Sequence, residues 1–319
     1  MIDVSIVIIT YNRIQKVYRL IQSVFDSNLD GINYEIIVVD DCSPDGTYQL
    51  LGEQLKSKKN VTLLRNSVNS KVSYSRNRGI KIAKGEFIFC IDDDVVLTKD
   101  AIREMVKTKR NLGKTKTVLA PIMFDYQNQN KIWFSGIKLN FWLTTGRFLY
   151  KDMLYSEISN LSEFIPTDAI LTAFLMSKKD LEEIGCFDEE LFPFQFEEID
   201  FFVRSGYLGF KLFVIPQARI YHDHEHGVFL QTPWRLELVA RNRLLTAKLW
   251  SKNITQQYSA VLSALLINFS YFILKLFFFR EKQKECYRSL TKGIISGMSM
   301  LETITPYRKV FKNSHPFKD

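Results

Sequence analysis

The sequence predicts an α/β domain built on a mostly parallel sheet flanked by helices. Over the first hundred residues, short apolar runs alternate with stretches of helical period. Three of these runs end directly in polar or acidic clusters, at Thr10, Asp40 and Asp92. Neither Gly-x-Gly-x-x-Gly after the first run nor Gly-x-x-x-x-Gly-Lys-Ser/Thr anywhere is present, which argues against a dinucleotide Rossmann site and a P-loop ATPase.

Val4-Ser5-Ile6-Val7-Ile8-Ile9 is β-branched and almost wholly apolar, the pattern of a central strand. It runs into the polar turn Thr10-Tyr11-Asn12-Arg13, after which Ile14, Val17, Leu20, Ile21, Val24 and Phe25 recur at helical spacing. Tyr34 to Val39 is the second strand. Asp40-Asp41-Cys42-Ser43-Pro44-Asp45-Gly46-Thr47 then supplies turn chemistry before a helix from about Thr47 to Lys58. Val61 to Leu64 is the third strand, and a helix opens near Ser73 with Tyr74-Ser75-Arg76-Asn77-Arg78-Gly79. The fourth strand, Phe87 to Ile91, is an apolar run of the kind buried on both faces.

That strand enters Asp92-Asp93-Asp94. Three adjacent carboxylates repel one another unless something cationic sits among them. Mg²⁺ and Mn²⁺ take carboxylate oxygens, with substrate phosphates completing the shell. The same acids also read as a helix N-cap cluster, because a helical pattern begins at Thr98-Lys99-Asp100. In parallel sheets, ligands bind outside the carboxyl ends of the strands, where Thr10-Tyr11-Asn12, Asp40-Asp41 and Asp92-Asp93-Asp94 all fall.

Val118 to Met123 reads as a further strand, and residues 124–165 are less regular. Their aromatics, Trp133, Phe134, Phe141, Trp142 and Tyr150, suit buried packing or exposed platforms for a sugar or a lipid. Ser177 has the character of an N-cap for a helix over 178–184 that Gly185 stops. Glu197, Glu198 and Asp200 lie among Phe192, Phe194, Phe196, Phe201 and Phe202. Apolar walls raise carboxylate pKa values, as a general base requires. The helix dipole alone also explains an acidic helix start. Tyr221-His222-Asp223-His224-Glu225-His226 carries three of the four histidines and reads as a metal site or a solvated loop. Trp234 to Lys252 is helical in pattern, with Arg241, Arg243, Lys248 and Lys252 on a basic face.

A net charge of +8 implies an anionic partner. The basic residues cluster toward the apolar stretch Tyr258 to Phe279, which favours a membrane surface over nucleic acid. The stretch is long enough to span a bilayer, but Asn268 is central and Lys275 interrupts its end. Lys248 and Lys252 precede it, and Arg280, Lys282, Lys284 and Arg288 follow, so a helix lying on the membrane with basic rims fits better than a span. Core burial or an oligomer contact is the remaining reading. Cys42, Cys90, Cys186 and Cys286 are far apart and form no Cys-x-x-Cys pair, and the first residues lack a signal-peptide pattern. The expected location is therefore cytoplasmic, peripheral on the cytoplasmic face of the membrane.

Together these residues resemble the family 2 glycosyltransferases over about residues 3–245. Val4 to Arg13 resembles the family's opening strand and nucleotide-binding turn. Val38-Val39-Asp40-Asp41-Cys42-Ser43-Pro44-Asp45-Gly46-Thr47 is similar to its Val-Val-Asp-Asp-Gly-Ser-x-Asp-Gly-Thr element, with Cys42 in place of glycine. Ser75-Arg76-Asn77-Arg78-Gly79 resembles Ala-Arg-Asn-x-Gly, and Asp92-Asp93-Asp94 resembles Asp-x-Asp. Phe196-Glu197-Glu198-Ile199-Asp200 resembles the acceptor-site Glu-Asp-x-Asp, with Glu198 where Asp is usual.

The resemblance implies a GT-A fold, Rossmann-like, to which the apolar stretch adds a C-terminal helical membrane-associating segment. It implies a catalytic domain over 1–230, divided into a nucleotide-sugar half (1–123) and an acceptor half (124–230), and a helical region over 231–319. It further implies inverting, metal-assisted transfer from a UDP-, GDP- or dTDP-sugar to a glycan or polyprenyl-phosphate-linked acceptor. Thr10, Tyr11 and Asp40 would hold the nucleobase, with Asn12 in the same turn and Asp41 as the second-choice acid. Arg76 would approach the base or pyrophosphate, and Asp92 the ribose or a metal-bound water. Asp93 would turn into the fold beside the nucleotide. Asp94, assisted by Asp92, would ligate Mn²⁺ or Mg²⁺, with His222 as a late metal ligand. Glu198 is the first choice for general base and Glu197 the second, with Glu197 and Asp200 at the acceptor. The competing readings are a non-catalytic glycan-binding or scaffold member and a nucleotidyltransferase.

Overall fold

The β-branched runs fill both sides of an extended backbone and form a sheet between helices. In the computed structural model, which describes residues 2–158, 161–224, 232–277 and 282–311, the first strands are Val4–Thr10 (β1), Tyr34–Asp40 (β2), Val61–Arg65 (β3) and Phe87–Asp92 (β4). They pair in parallel in the order β4-β1-β2-β3. Helices Ile14–Phe25 (α1), Thr47–Leu55 (α2) and Lys71–Ile82 (α3) connect them. Val17, Leu20, Ile21 and Val24 of α1 are buried, as their spacing predicts. Gly79 brings α3 close to the sheet: a Cβ there would stand 2.5 Å from Val7 Cγ1.

Val95–Leu97 (β5), Ala101–Leu112 (α4) and Thr117–Asp125 (β6) follow. Residues 124–165, read as irregular from sequence, contain Ile132–Phe134 (β7), Ile137–Asn140 (β8), Thr145–Phe148 (β9) and the start of Ile165–Thr167 (β10). Ala173–Ser177 (β11) leads into Lys178–Ile184 (α5), where Ser177 Oγ accepts from Asp180 N as the cap. Glu197–Tyr207 (α6) and Lys211–His222 (β12) come next, then Pro233–Leu249 (α7), Ile254–Phe277 (α8), Gln283–Met300 (α9) and Tyr307–Val310 (α10).

The large sheet runs β10-β12-β6-β11-β4-β1-β2-β3, with β5 on β12 and β7 on β6. The predicted α/β class with a mostly parallel core holds, and the finding adds to it. β11 inserts antiparallel between β4 and β6, while β12 runs parallel to β6. These strands are short or, in β12, interrupted by Pro216, so their apolar pattern is too brief to read as period two.

The chain sorts into two compact units that are interleaved along the sequence. One comprises Met1–Ile137, Phe148–Glu189 and Phe210–His224 and holds the large sheet; the other comprises Lys138–Arg147, Glu190–Gly209 and Glu225–Asp319. Within the second, α9 lies against α7 at backbone distance. A Cβ on Gly293 would stand 2.2 Å from the Glu237 carbonyl oxygen, and one on Gly297 would meet Leu244 Cδ1 at 2.9 Å. α8 turns Gln256, Ala260, Ala264 and Asn268 inward. Asn268 Nδ2 donates to the Ala240 carbonyl at 3.0 Å, so the residue that interrupts the apolar stretch is an internal tie to α7. Core burial holds for that face alone, because Tyr258, Leu262, Leu266, Phe269 and Ile273 are exposed. Among the described residues, Ile254–Leu274 is the one helical stretch long and apolar enough to cross a membrane, by length and composition. Phe278 and Phe279, at the end of the predicted stretch, and Arg280 after it lie outside the described residues.

Gly293→Ala is expected to destabilise the protein by ~1–3 kcal/mol through overpacking at α7. Gly52→Ala, where the nearest atom to the new Cβ is Leu63 Cδ2 at 4.0 Å, is expected to stabilise it, by ~0.5–1 kcal/mol. Urea denaturation midpoints of the two variants check the opposite signs.

Candidate functional site

Because β1 lies between β2 and β4, with Thr10 opposite Asp40 and Ile9 opposite Asp92, the three polar strand ends share one edge of the sheet. Asp92 closes β4, and Asp93 and Asp94 form the turn into β5. The helix-cap reading of these acids fails: β5 separates them from α4, whose N-cap Asp100 makes no side-chain capping bond.

Each carboxylate meets a cation or donor from a different element. Asp93 is buried and accepts Thr10 Oγ1 at 2.7 Å and Arg13 Nη1 at 3.1 Å. Asp92 accepts Arg76 Nη2 at 2.9 Å, and the Arg76 guanidinium, itself buried, lies 4.9 Å from the centre of the Phe187 ring. Asp94 pairs with His222 Nε2 at 3.1 Å and accepts Arg13 Nη1 at 3.0 Å. His222 arrives there because β12 pairs antiparallel with β5, setting His222 opposite Val95. The Trp133 ring meets the His222 imidazole edge-on at 4.2 Å, and His224 stacks on it at 5.4 Å. Buried His222 Nδ1 has no hydrogen-bond partner. Glu225 and His226 lie outside the described residues.

These surroundings separate the three acids electrostatically. Burial pushes Asp93 up to about 7 against the pull of Arg13. Asp92 keeps 31% of its side chain accessible, yet protein encloses the carboxyl closely enough that desolvation, opposed by Arg76 and reinforced by Asp94, raises its pKa. Burial also acts on Asp94, but the His222 hydrogen bond and charge, with Arg13 and Lys16, hold its pKa below the ordinary range. Asp94 is therefore the acid best kept ionised.

The adjacent pair at the end of β2 divides in the same way. Asp41 accepts Asn66 Nδ2 at 2.7 Å, Ser70 N at 2.8 Å and Lys71 N at 2.9 Å, which ties it to the start of α3. Asp40 is fully buried; its Oδ2 accepts Ser43 N at 3.0 Å and stands 3.6 Å from Arg65 Nε. Its Oδ1 has no donor. Ser43 Oγ in turn accepts Asn12 N at 2.9 Å, linking the β1 and β2 turns, and Tyr11 is exposed. Asn12 and Cys42 both take left-handed backbone conformations, with φ of 56° and 63°. The glycine that Cys42 replaces would adopt this conformation without strain.

A divalent ion fits the Asp94–His222 pair. An ionised carboxylate and an imidazole are donors that Mn²⁺ accepts. Their facing atoms, His222 Nε2 and Asp94 Oδ1, stand 3.1 Å apart, so the two donors would hold such an ion together. No cluster of three His, Cys, Asp or Glu converges among the described residues, so the rest of the shell would come from substrate phosphate and water.

The expected acceptor acids belong to the second unit. Glu197 and Glu198 are buried in the first turn of α6, where the dipole favours them. The preceding Gln195 and Phe196 have φ of 65° and 70°, and buried Asn242 on α7 holds this turn by donating to the carbonyls of Phe194 and Gln195. Asp200 is fully buried. It accepts Tyr307 Oη at 2.6 Å, Trp250 Nε1 at 3.2 Å and Arg204 Nε at 3.0 Å, so its oxygens hold the fold together. Burial raises its pKa against the opposing pull of Arg204. Sequence reading placed Arg13 in the turn after β1 without a partner for it, named Trp133 only among aromatics suited to packing or to a sugar or lipid platform, and gave Asn242 no role. Arg13 follows a polar strand end, a usable signal, whereas Asn242 carries none.

The model of glycosyl transferase family 2 matches residues 5–185. The chain belongs to that family. A dolichol-phosphate mannosyltransferase from Pyrococcus furiosus is 34% identical over 108 residues, 34% of this chain and 30% of that relative, so the match spans under a third of the relative's length. Among solved structures, S. aureus TarS 1-349 in complex with UDP-GlcNAc superposes with a TM-score of 0.56 at 18% identity, covering 92% of this chain and 81% of that one. GalNAc-T7 with UDP, GalNAc and Mn²⁺ gives a TM-score of 0.64 at 17% identity, covering 78% and 50%. At these identities the two structures establish the shared GT-A architecture.

Asp41→Ala leaves three donors without their acceptor and is expected to cost ~2–4 kcal/mol of stability. Asp40→Asn, which retains the shape of the side chain, is expected to cost no more than ~1 kcal/mol. Chemical denaturation of both variants tests this division between an acid whose oxygens are bonded into the fold and one with an oxygen that no donor meets.

Proposed function

We propose that this family 2 protein transfers a sugar from a nucleoside-diphosphate sugar to an acceptor hydroxyl, with inversion at the anomeric carbon. The observation that carries the reading is the buried Asp40 Oδ1, left without a donor at the same end of the parallel strands as the Asp92–Asp94 turn. A carboxylate only accepts hydrogen bonds. Uracil, thymine and guanine present a ring N–H on their pairing edge, whereas cytosine and adenine present there an exocyclic amino group beside a bare ring nitrogen, whose lone pair opposes a carboxylate. Asp40 thus favours UDP-, dTDP- or GDP-sugars, with Thr10, Tyr11 and Asn12 forming the rest of the base-binding turn. The UDP and UDP-GlcNAc complexes of the structural neighbours agree with this chemistry.

Asp94 and His222 would hold a Mn²⁺ or Mg²⁺ ion, which supplies positive charge against the departing diphosphate. Arg76 orients Asp92 toward the ribose. Glu198 takes the proton from the acceptor hydroxyl, with Glu197 the second candidate, and attack opposite the leaving group inverts the centre. The turn leading into Glu197 and Glu198 carries two left-handed residues, Gln195 and Phe196, the kind of strain a fixed catalytic geometry retains. The acceptor class is a glycan, free or polyprenyl-phosphate-linked, in keeping with the name of the dolichol-phosphate relative. The outward apolar face of α8 attaches the protein peripherally to the cytoplasmic face of the membrane.

In calorimetric titrations with Mn²⁺, at least one of UDP, dTDP and GDP should bind, and CDP and ADP at least about tenfold more weakly, the worth of one hydrogen bond to a charged group. Asp40→Asn should erase that preference. Asp94→Ala or chelation should remove the metal dependence; binding indifferent to both would reject the site. Glu198→Gln should lower turnover by about 10²–10⁴ while nucleotide binding persists, the usual range for losing a general base.

A further inference from the structure

The exposed face of α8 has a neighbour that extends it. Tyr258, Leu262, Leu266 and Phe269 are 60–70% exposed and recur every three or four residues, one stripe of the helix. With Ile254 and Ile273 at its ends, the stripe is roughly 30 Å long at 1.5 Å per residue. Beside it stands the tip of the β8–β9 hairpin. Ser259 Oγ donates to the Trp142 carbonyl at 3.2 Å, and Ser263 Oγ donates to the Leu143 carbonyl at 2.8 Å. Asn140 Oδ1 accepts the backbone N–H groups of Trp142 and Leu143, which presets the turn. The tip's polar backbone is thereby satisfied, and its two large side chains remain nearly half exposed. Ser259 and Ser263 each follow a stripe residue by one position, so the tip adjoins the first turns of the stripe.

Charge identifies what covers this surface. Residues 231–319 hold fifteen Lys and Arg against five Asp and Glu, a net +10, whereas the whole chain carries +8; the preceding residues are therefore at −2. Residues 254–277 contain no acid at all. Large exposed apolar patches mark interaction surfaces. Here the patch lies in the segment that holds the chain's entire positive excess, and a second copy would bring like charge against like. An anionic surface is the complementary partner.

We propose that the Trp142–Leu143 tip and the α8 stripe form a two-element contact for an anionic lipid bilayer, the tip seating at headgroup level beside the helix. This rests on the membrane attachment proposed above and adds a constraint to it. A lone amphipathic helix can roll about its axis in the interface, whereas a helix with a rigid outrigger cannot. The tip therefore sets the rotation of α8 on the lipid.

The test is sedimentation of the full chain with vesicles of phosphatidylcholine alone or mixed with phosphatidylglycerol. Binding should require the anionic lipid and weaken with salt, and Trp142→Ser/Leu143→Ser should reduce it at least about tenfold. Leu262→Ser/Leu266→Ser should reduce it further, with retained UDP binding as the control for folding. Brominated lipid should quench Trp fluorescence of the unchanged chain, and Trp142→Phe should lose a large part of that quenching. Unchanged sedimentation and quenching in the tip variants would overturn the two-element contact while leaving α8 attachment intact. An unchanged chain that ignores anionic vesicles would overturn both. A chain that self-associates, and becomes monomeric as Leu262→Ser/Leu266→Ser, would assign the face to a second copy and overturn the proposal.

Discussion

Three consecutive carboxylates cannot share one turn unless their charge is dispersed, and the sheet-bearing unit is arranged around that constraint. A like-charged pair at 4 Å costs ~4 kcal/mol at the effective dielectric near a protein surface. The fold meets this by recruiting counter-groups from three separate elements. Arg13 comes from the start of α1, Arg76 from α3 and His222 from the end of β12. Asp93 is pushed up to about 7, and the Thr10 hydroxyl ties it back to β1. Asp94, held low, retains its charge. One acid faces inward, one leans on a buried arginine, and one stays available to a cation.

Much of this was legible in the sequence, and the unread parts have a common cause. The first four strands and three helices follow from local periodicity, and the acid turn is visible because it interrupts an apolar run. The pairing of Asp94 with His222 depends on β5 and β12, strands far apart in the chain whose register no local pattern specifies. Asp40 and Asp41 are equivalent as letters. They differ because neighbouring residues at a strand end point to opposite sides, and only Asp41 then meets the α3 amides. Asp200, read as an acceptor contact beside Glu197 and Glu198, lies on the part of α6 that faces Trp250 and Tyr307. Adjacent positions on a helix serve different neighbours, which a motif does not record.

In the helical unit the equivalent organiser is α7. Its Asn242 holds the strained turn before α6, its Ala240 carbonyl receives Asn268 of α8, and its backbone accepts Gly293 of α9 in direct approach. Its neighbours cover it from more than one side. Beside these polar and backbone contacts, Leu236 and Ala240 pack on Cys286 and Leu290 of α9, and Leu244 and Ala247 on Ala260 and Ala264 of α8, so no single apolar stripe marks its packing. That explains why the sequence of α7 displays a basic face but hides its packing. Gln195 and Phe196 can keep their left-handed conformations because α7 fixes the carbonyls beside them.

β12 does not pair evenly with β6 along its length. Between Ile215 and Arg219 the strand advances four residues while its partner β6 advances one, from Pro121 to Ile122, a surplus of three. Side chains alternate faces along a strand, so the surplus acts as a phase setting for everything after it. In the present phase an imidazole arrives opposite Val95. One residue more or fewer in the stretch around Pro216 would deliver a phenol or another acid, Tyr221 or Asp223, to the same place. The chemistry at Asp94 is thus timed by a kink at a site with no chemistry of its own, where length matters more than identity.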